Sequence, residues 1–96
     1  MAEYRFSPRA LRDLESVFDY TVARWGVSQA LRYTDLIEVA CARLAAAPHQ
    51  SQDCGAIRPG YRRHAVEQHM IYFRPTAYGI AIIRILHQRM DPVRHI

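Results

Sequence analysis

Gly79–His95, GIAIIRILHQRMDPVRH, is the stretch whose reading decides the fold. An apolar strand, Ile80 to Leu86, carries one arginine, Arg84, in its middle. It then runs directly into His87, Arg89, Asp91, Arg94 and His95. Side chains alternate across a strand, which predicts Ala81, Ile83 and Ile85 on one face, packed on helices, and Ile82, Arg84 and Leu86 on the other. A strand that ends in so dense a polar cluster points to a rigid platform presenting charge to a partner or a substrate.

Working back from that strand, His69 to Arg74 and Tyr61 to Val66 show the same period of two, joined by Glu67-Gln68 and by Pro75 to Gly79. Successive strands are therefore expected as antiparallel hairpin neighbours. Ile71 and Phe73 suit the core, leaving Met70, Tyr72 and Arg74 on an open, arginine-rich face. Upstream, Pro48 to Pro59 reads as a polar loop with Gly and Pro punctuation. Before it the apolar period is helical. Leu11, Leu14, Phe18, Val22 and Trp25 make one face of a first helix, opened by Ser7 as N-cap with Pro8 in the first turn and stopped by Gly26. Ala30, Tyr33, Ile37, Ala40 and Leu44 make the face of a second, with Ser28 expected as its cap. A connection as short as Gly26-Val27 implies an antiparallel helical hairpin. Glu3 to Phe6 adds a short first strand. The order is β-α-α-β-β-β, an α+β fold with the helical hairpin on one face of a mainly antiparallel sheet.

The chain's 96 residues suit one domain, residues 1–96, with one modest core. Half of the residues are hydrophobic and 23% are charged, which fits a globular chain and excludes a disordered one. No apolar run approaches the ~18 residues of a membrane span, and MAEYRFSP lacks the apolar core of a signal peptide, so a cytoplasmic protein is expected. The net charge is +4, and all 13 basic residues are arginine. Arginine pairs with carboxylate or phosphate through a planar fork and is a poor general base, so the balance suits an acidic partner, nucleic acid or protein.

The candidate chemistry is sparse. Cys41 and Cys54 form no CxxC; Cys41 suits a small buried role on its helix, and Cys54 a free thiol in a polar loop. The histidines His49, His64, His69 and His95 have no metal-ligand spacing, and no phosphate loop, nucleophile elbow or dinucleotide fingerprint occurs, so neither metal nor cofactor is expected. Arg62, Arg63, Arg74, Arg84, Arg89 and Arg94 would make a basic groove if they share a face; taken singly they are ordinary surface charge. Arg84 needs a partner for its donors, either a target or an internal acid such as Asp91. His87 either closes the sheet end by hydrogen bonding or exchanges protons near neutral pH. Tyr20 and Tyr33, with several alanines, give the hairpin a possible docking face.

Taken together, YRFSPRALRDL at the start, Arg24-Trp25-Gly26, LAAAP, IRPGYRRH, HMIYFRP and the closing IIRILHQRMDPVRH resemble the ParE branch of the RelE/ParE toxins of bacterial type II toxin–antitoxin systems. The resemblance spans essentially the whole chain, and the closing motif is its most specific part. It implies a small toxin, of the kind linked to plasmid stabilisation, that binds DNA gyrase or its DNA complex rather than acting as an enzyme. It also implies a hetero-oligomer with a cognate acidic, ParD-like antitoxin, whose C-terminal segment wraps the hairpin and sheet. On this reading Arg84, His87, Arg89, Met90, Asp91 and Arg94 contact the target, and Leu14, Phe18, Tyr33 and Ile37 lie under the antitoxin. The alternative is a ribosome-dependent mRNA endoribonuclease of the RelE type, using Arg84 and His87. Gln88 stands where those enzymes carry a tyrosine, and the chain has no lysine. The residues thus supply phosphate binding but one convincing proton-transfer group, which favours ParE.

Overall fold

The computed structural model describes residues 2–96. Strand β1 (Glu3–Phe6) leads into helices α1 (Pro8–Trp25) and α2 (Val27–Ala46). A 3-10 turn (Pro48–Gln50) and a short strand β2 (Gln52–Asp53) precede β3 (Arg62–Val66), β4 (His69–Thr76), β5 (Gly79–His87) and a last helical turn, α3 (Pro92–His95). The sheet order is β1-β5-β4-β3-β2, with β1 parallel to β5 and the other pairings antiparallel. The expected α+β order is present, extended by β2 and α3.

Local signals explain the helix ends. Ser7 Oγ accepts from the Ala10 N–H at 3.0 Å and Pro8 sits in the first turn, as an N-cap requires. Gly26, at φ 92, ends α1 and directly precedes Val27. Ser28 is therefore inside α2 and is not its cap, a correction to the sequence expectation. Glycine is needed again at Gly79, where a Cβ would lie 2.0 Å from the Glu3 carbonyl oxygen. The start of β1 presses directly on that backbone.

One irregularity rearranges β5. Tyr72 pairs with Arg84 but Phe73 pairs with Ile82, so Ile83 is an extra, unpaired residue. Such a bulge reverses the alternation on one side of itself. Ile80, Ile82 and Ile85 are the residues buried under the helices, with Ile37, Cys41, Ile71 and Phe73. The predicted inward set of Ala81, Ile83 and Ile85 is thus right only at Ile85. Without the extra residue, a strand with Ile80 and Ile82 inward would turn Arg84 inward too. The cause lies at the β1–α1 corner. β1 stops at the Phe6–Ile82 pair. Ser7 then donates its N–H to the Ile82 carbonyl at 2.9 Å and its Oγ–H to the Ile83 carbonyl at 2.8 Å. The bulged backbone is capped from outside the sheet.

The second face of the sheet is not open. Cys54, Tyr72 and Leu86 are buried there, and Ile57, Tyr61, Met70 and Ile96 pack against them. The segment from Cys54 to Tyr61 and the C-terminus form this cover, so Cys54 is buried rather than exposed in a polar loop. Arg62 is drawn into the same structural role. Its Nε donates to the Pro48 carbonyl at 3.0 Å and to Ser51 Oγ at 2.9 Å, with further bonds to the Ser51 and His49 carbonyls. The basic groove expected on this face is consequently not formed.

Candidate functional site

The polar cluster at the end of β5 divides into two parts. The first is closed. Arg84 donates from Nε to Asp13 Oδ2 at 2.7 Å and from Nη2 to Asp13 Oδ1 at 2.9 Å. Its Nη1 donates to the His95 carbonyl at 2.8 Å. Both charged side chains are only 15% exposed. Asp13, on α1, also accepts the Ile85 N–H at 2.9 Å, filling the strand edge that β1 leaves uncovered. Bidentate pairing with carboxylate is the strong geometry for arginine, and it pushes the guanidinium pKa up. The internal acid is therefore Asp13, and not Asp91. Asp91 instead caps α3, its Oδ1 accepting from the Val93 N–H at 3.0 Å.

The second part is open. Arg89, Met90, Asp91 and Arg94 are exposed beyond β5, and His87 lies where that strand meets a groove of about 1050 Å³ between the helical hairpin and the sheet. Tyr20, Trp25, Leu36 and Met90 supply apolar surface to this groove, and Arg32 and Arg89 supply charge. Trp25 is 69% exposed and Tyr20 61%, high values for large aromatic side chains.

Three titratable side chains meet in the groove. Tyr33 Oη lies 2.6 Å from His69 Nδ1 and accepts from the Gln68 N–H at 3.1 Å. The rings of His69 and His87 stand edge to face with centroids 5.5 Å apart. His87 Nδ1 accepts from the Arg89 N–H at 3.1 Å. Burial, and secondarily the neighbouring His87, lower the His69 pKa, against a smaller opposite pull from Asp13. Burial raises that of Tyr33. Burial and His87 thus bias His69 toward its neutral form.

Several expected site residues are placed differently. Ile37 is fully buried, because its face of α2 packs on the sheet, and it is not available to a partner. Leu14 is partly buried against the same core, and Phe18 is half-buried. Of the four residues assigned to antitoxin contact, Tyr33 lines the groove. The sequence reading missed His69, Asp13, Arg32 and Leu36. For His69 the missed signal is register. The bulge sets His69 opposite His87, whereas regular pairing from Thr76 and Gly79 would set it opposite Leu86.

Comparison with known proteins fits this architecture. Residues 4–92 match the family model described as the ParE toxin of the type II toxin–antitoxin system parDE. Toxin ParE1 of Mycobacterium tuberculosis is 42% identical over 96 residues, covering 99% of this chain and 98% of the relative. Toxin ParE1 of Caulobacter vibrioides is 36% identical, covering 100% and 99%. A solved chain of the chromosomal ParDE system from P. aeruginosa superposes with a TM-score of 0.77 at 25% identity, covering 91% of this chain and 96% of that one. With a family match over nearly its full length and relatives this similar, the chain belongs to the ParE toxins of type II toxin–antitoxin systems.

Proposed function

We propose that this toxin works by binding DNA gyrase or its DNA complex, not by catalysis, and that a cognate acidic antitoxin in the cytoplasm neutralises it. The observation that carries the reading is the engagement of Arg84. A nuclease would need free cations to stabilise a charged phosphorane, and here the strand arginine is held by Asp13 and the His95 carbonyl. What is left exposed is Arg89, Met90, Asp91 and Arg94, a surface of charge and one flexible apolar side chain suited to docking. His87 stands at its border with the groove, where Tyr20, Trp25, Tyr33 and Leu36 offer the antitoxin an apolar seat beside cationic Arg32 and Arg89.

Expression of the toxin alone in bacteria is expected to give filamentation with a DNA-damage response, and the purified toxin to inhibit gyrase supercoiling. Arg89→Glu should abolish both while the protein still folds. Defined cuts in translated mRNA that require His87 would replace this reading with the endoribonuclease one. Deleting Asp91 to Ile96 is a poorer test, because it also removes the acceptor for Arg84 and the Ile96 side chain from the second face.

A further inference from the structure

Both imidazoles in the groove have one nitrogen filled from inside the protein. Tyr33 Oη accepts from the Gln68 N–H, so its own hydrogen is directed to His69 Nδ1 at 2.6 Å, a much shorter contact than the 3.4 Å to the Val66 carbonyl. His87 Nδ1 accepts from a backbone N–H. Each neutral ring therefore carries its proton on Nε2. Among the described residues neither ring is hydrogen-bonded to an acid, and the nearby Asp13 is committed to Arg84 and to the Ile85 N–H. Two imidazole donors, 5.5 Å apart by ring centre, thus line the groove, and among the described residues neither Nε2 has an acceptor.

We propose that His69 and His87 form a carboxylate subsite, in which their Nε2–H groups receive an Asp or Glu side chain of the docked antitoxin. This rests on the groove being the antitoxin's seat. Charge complementarity favours this occupant. The groove also presents Arg32 and Arg89, against a single exposed acid, Glu67 in the β3–β4 turn. A neutral imidazole is a suitable receptor here, since it tolerates desolvation under a docked partner better than a charged side chain does.

A carboxylate between the rings favours their protonated form, so docking takes up a proton. Burial and the neighbouring His87 lower the proton affinity of His69 in the free toxin, and a docked carboxylate raises it. By linkage, the complex tightens as pH falls. The remaining charged neighbours are Asp13 from α1, Arg32 with Tyr33 from α2, Glu67 from the turn and Arg89 beyond β5.

The test is calorimetric titration of the full-length toxin with its cognate antitoxin, at pH 6, 7 and 8, in two buffers of different ionisation enthalpy. Affinity should rise about tenfold from pH 8 to pH 6, with up to about one proton taken up. His87→Gln, and separately His69→Gln, should flatten that dependence, with a thermal melt verifying that each variant is folded. Changing the antitoxin's acidic residues to amides one at a time should find one that removes the proton uptake. Tight binding with no pH dependence and no proton exchange overturns the subsite but leaves the groove as the seat. Unchanged affinity in Trp25→Ala and Leu36→Arg overturns the seat itself.

Discussion

Arg84 and His87 are three residues apart on one strand, and both belong to the polar cluster that makes this sequence conspicuous, yet they have opposite standing. Arg84 itself has its partners, the carboxylate of Asp13 serving a guanidinium and a backbone N–H at once. Around His87 and His69 the Nδ1 atoms are satisfied, both residues line a groove, and among the described residues neither Nε2 has a hydrogen-bond partner. A dense run of polar residues is thus two things, a joint that holds α1 to the end of β5 and a surface with unfilled capacity. Charge density in the sequence does not separate them; the count of partners does.

The sharpest way to break the contrast is Asp13→Ala. It strands a largely buried guanidinium and orphans the Ile85 N–H, and is expected to lower unfolding free energy by about 3 kcal/mol in urea titration. A loss below 1 kcal/mol would make the joint an ordinary surface pair. Removing His95 and Ile96 comes next, at about 2 kcal/mol, because it takes away one Arg84 acceptor and an apolar contact on Tyr72 and Leu86. Tyr33→Phe should lose about 1 kcal/mol, since it removes the hydroxyl shared by His69 and the Gln68 N–H. Arg89→Glu should leave stability within about 0.5 kcal/mol while abolishing the proposed inhibition of gyrase. The pH dependence gives the finest measure. The native state lowers the His69 pKa, so below about 6.5 the unfolded chain takes up the proton more readily. The free toxin should then lose stability progressively on acidification, whereas His69→Gln should lose less.

Much of the architecture was legible because its causes are local. Ser7-Pro8, Gly26 and Pro48 bound the helices, and the change of period from helix to strand is plain from Tyr61 onward. The faces of β5 were not legible, since the extra residue at Ile83 is fixed by Ser7, far away at the start of the chain. The same bulge hid the facing of His69 and His87 and turned Arg84 toward Asp13. For the same reason, the nearest acid in sequence, Asp91, was the wrong partner to expect. The cover over Tyr72 and Leu86 was illegible for another reason. Of its segment only Cys54, Ile57 and Tyr61 pack in this cluster, too few to declare a packing surface by periodicity.

The corner where Ser7 caps the bulge also bears on when the fold can be completed. β1 has its hydrogen-bonding neighbour in β5, and Asp13 meets Arg84, so the opening segment waits for the closing one throughout synthesis. Long-range pairings of this kind form late, and a chain emerging from the ribosome meets its own final residues last. The nascent polypeptide therefore cannot complete this corner until its closing strand has left the ribosome.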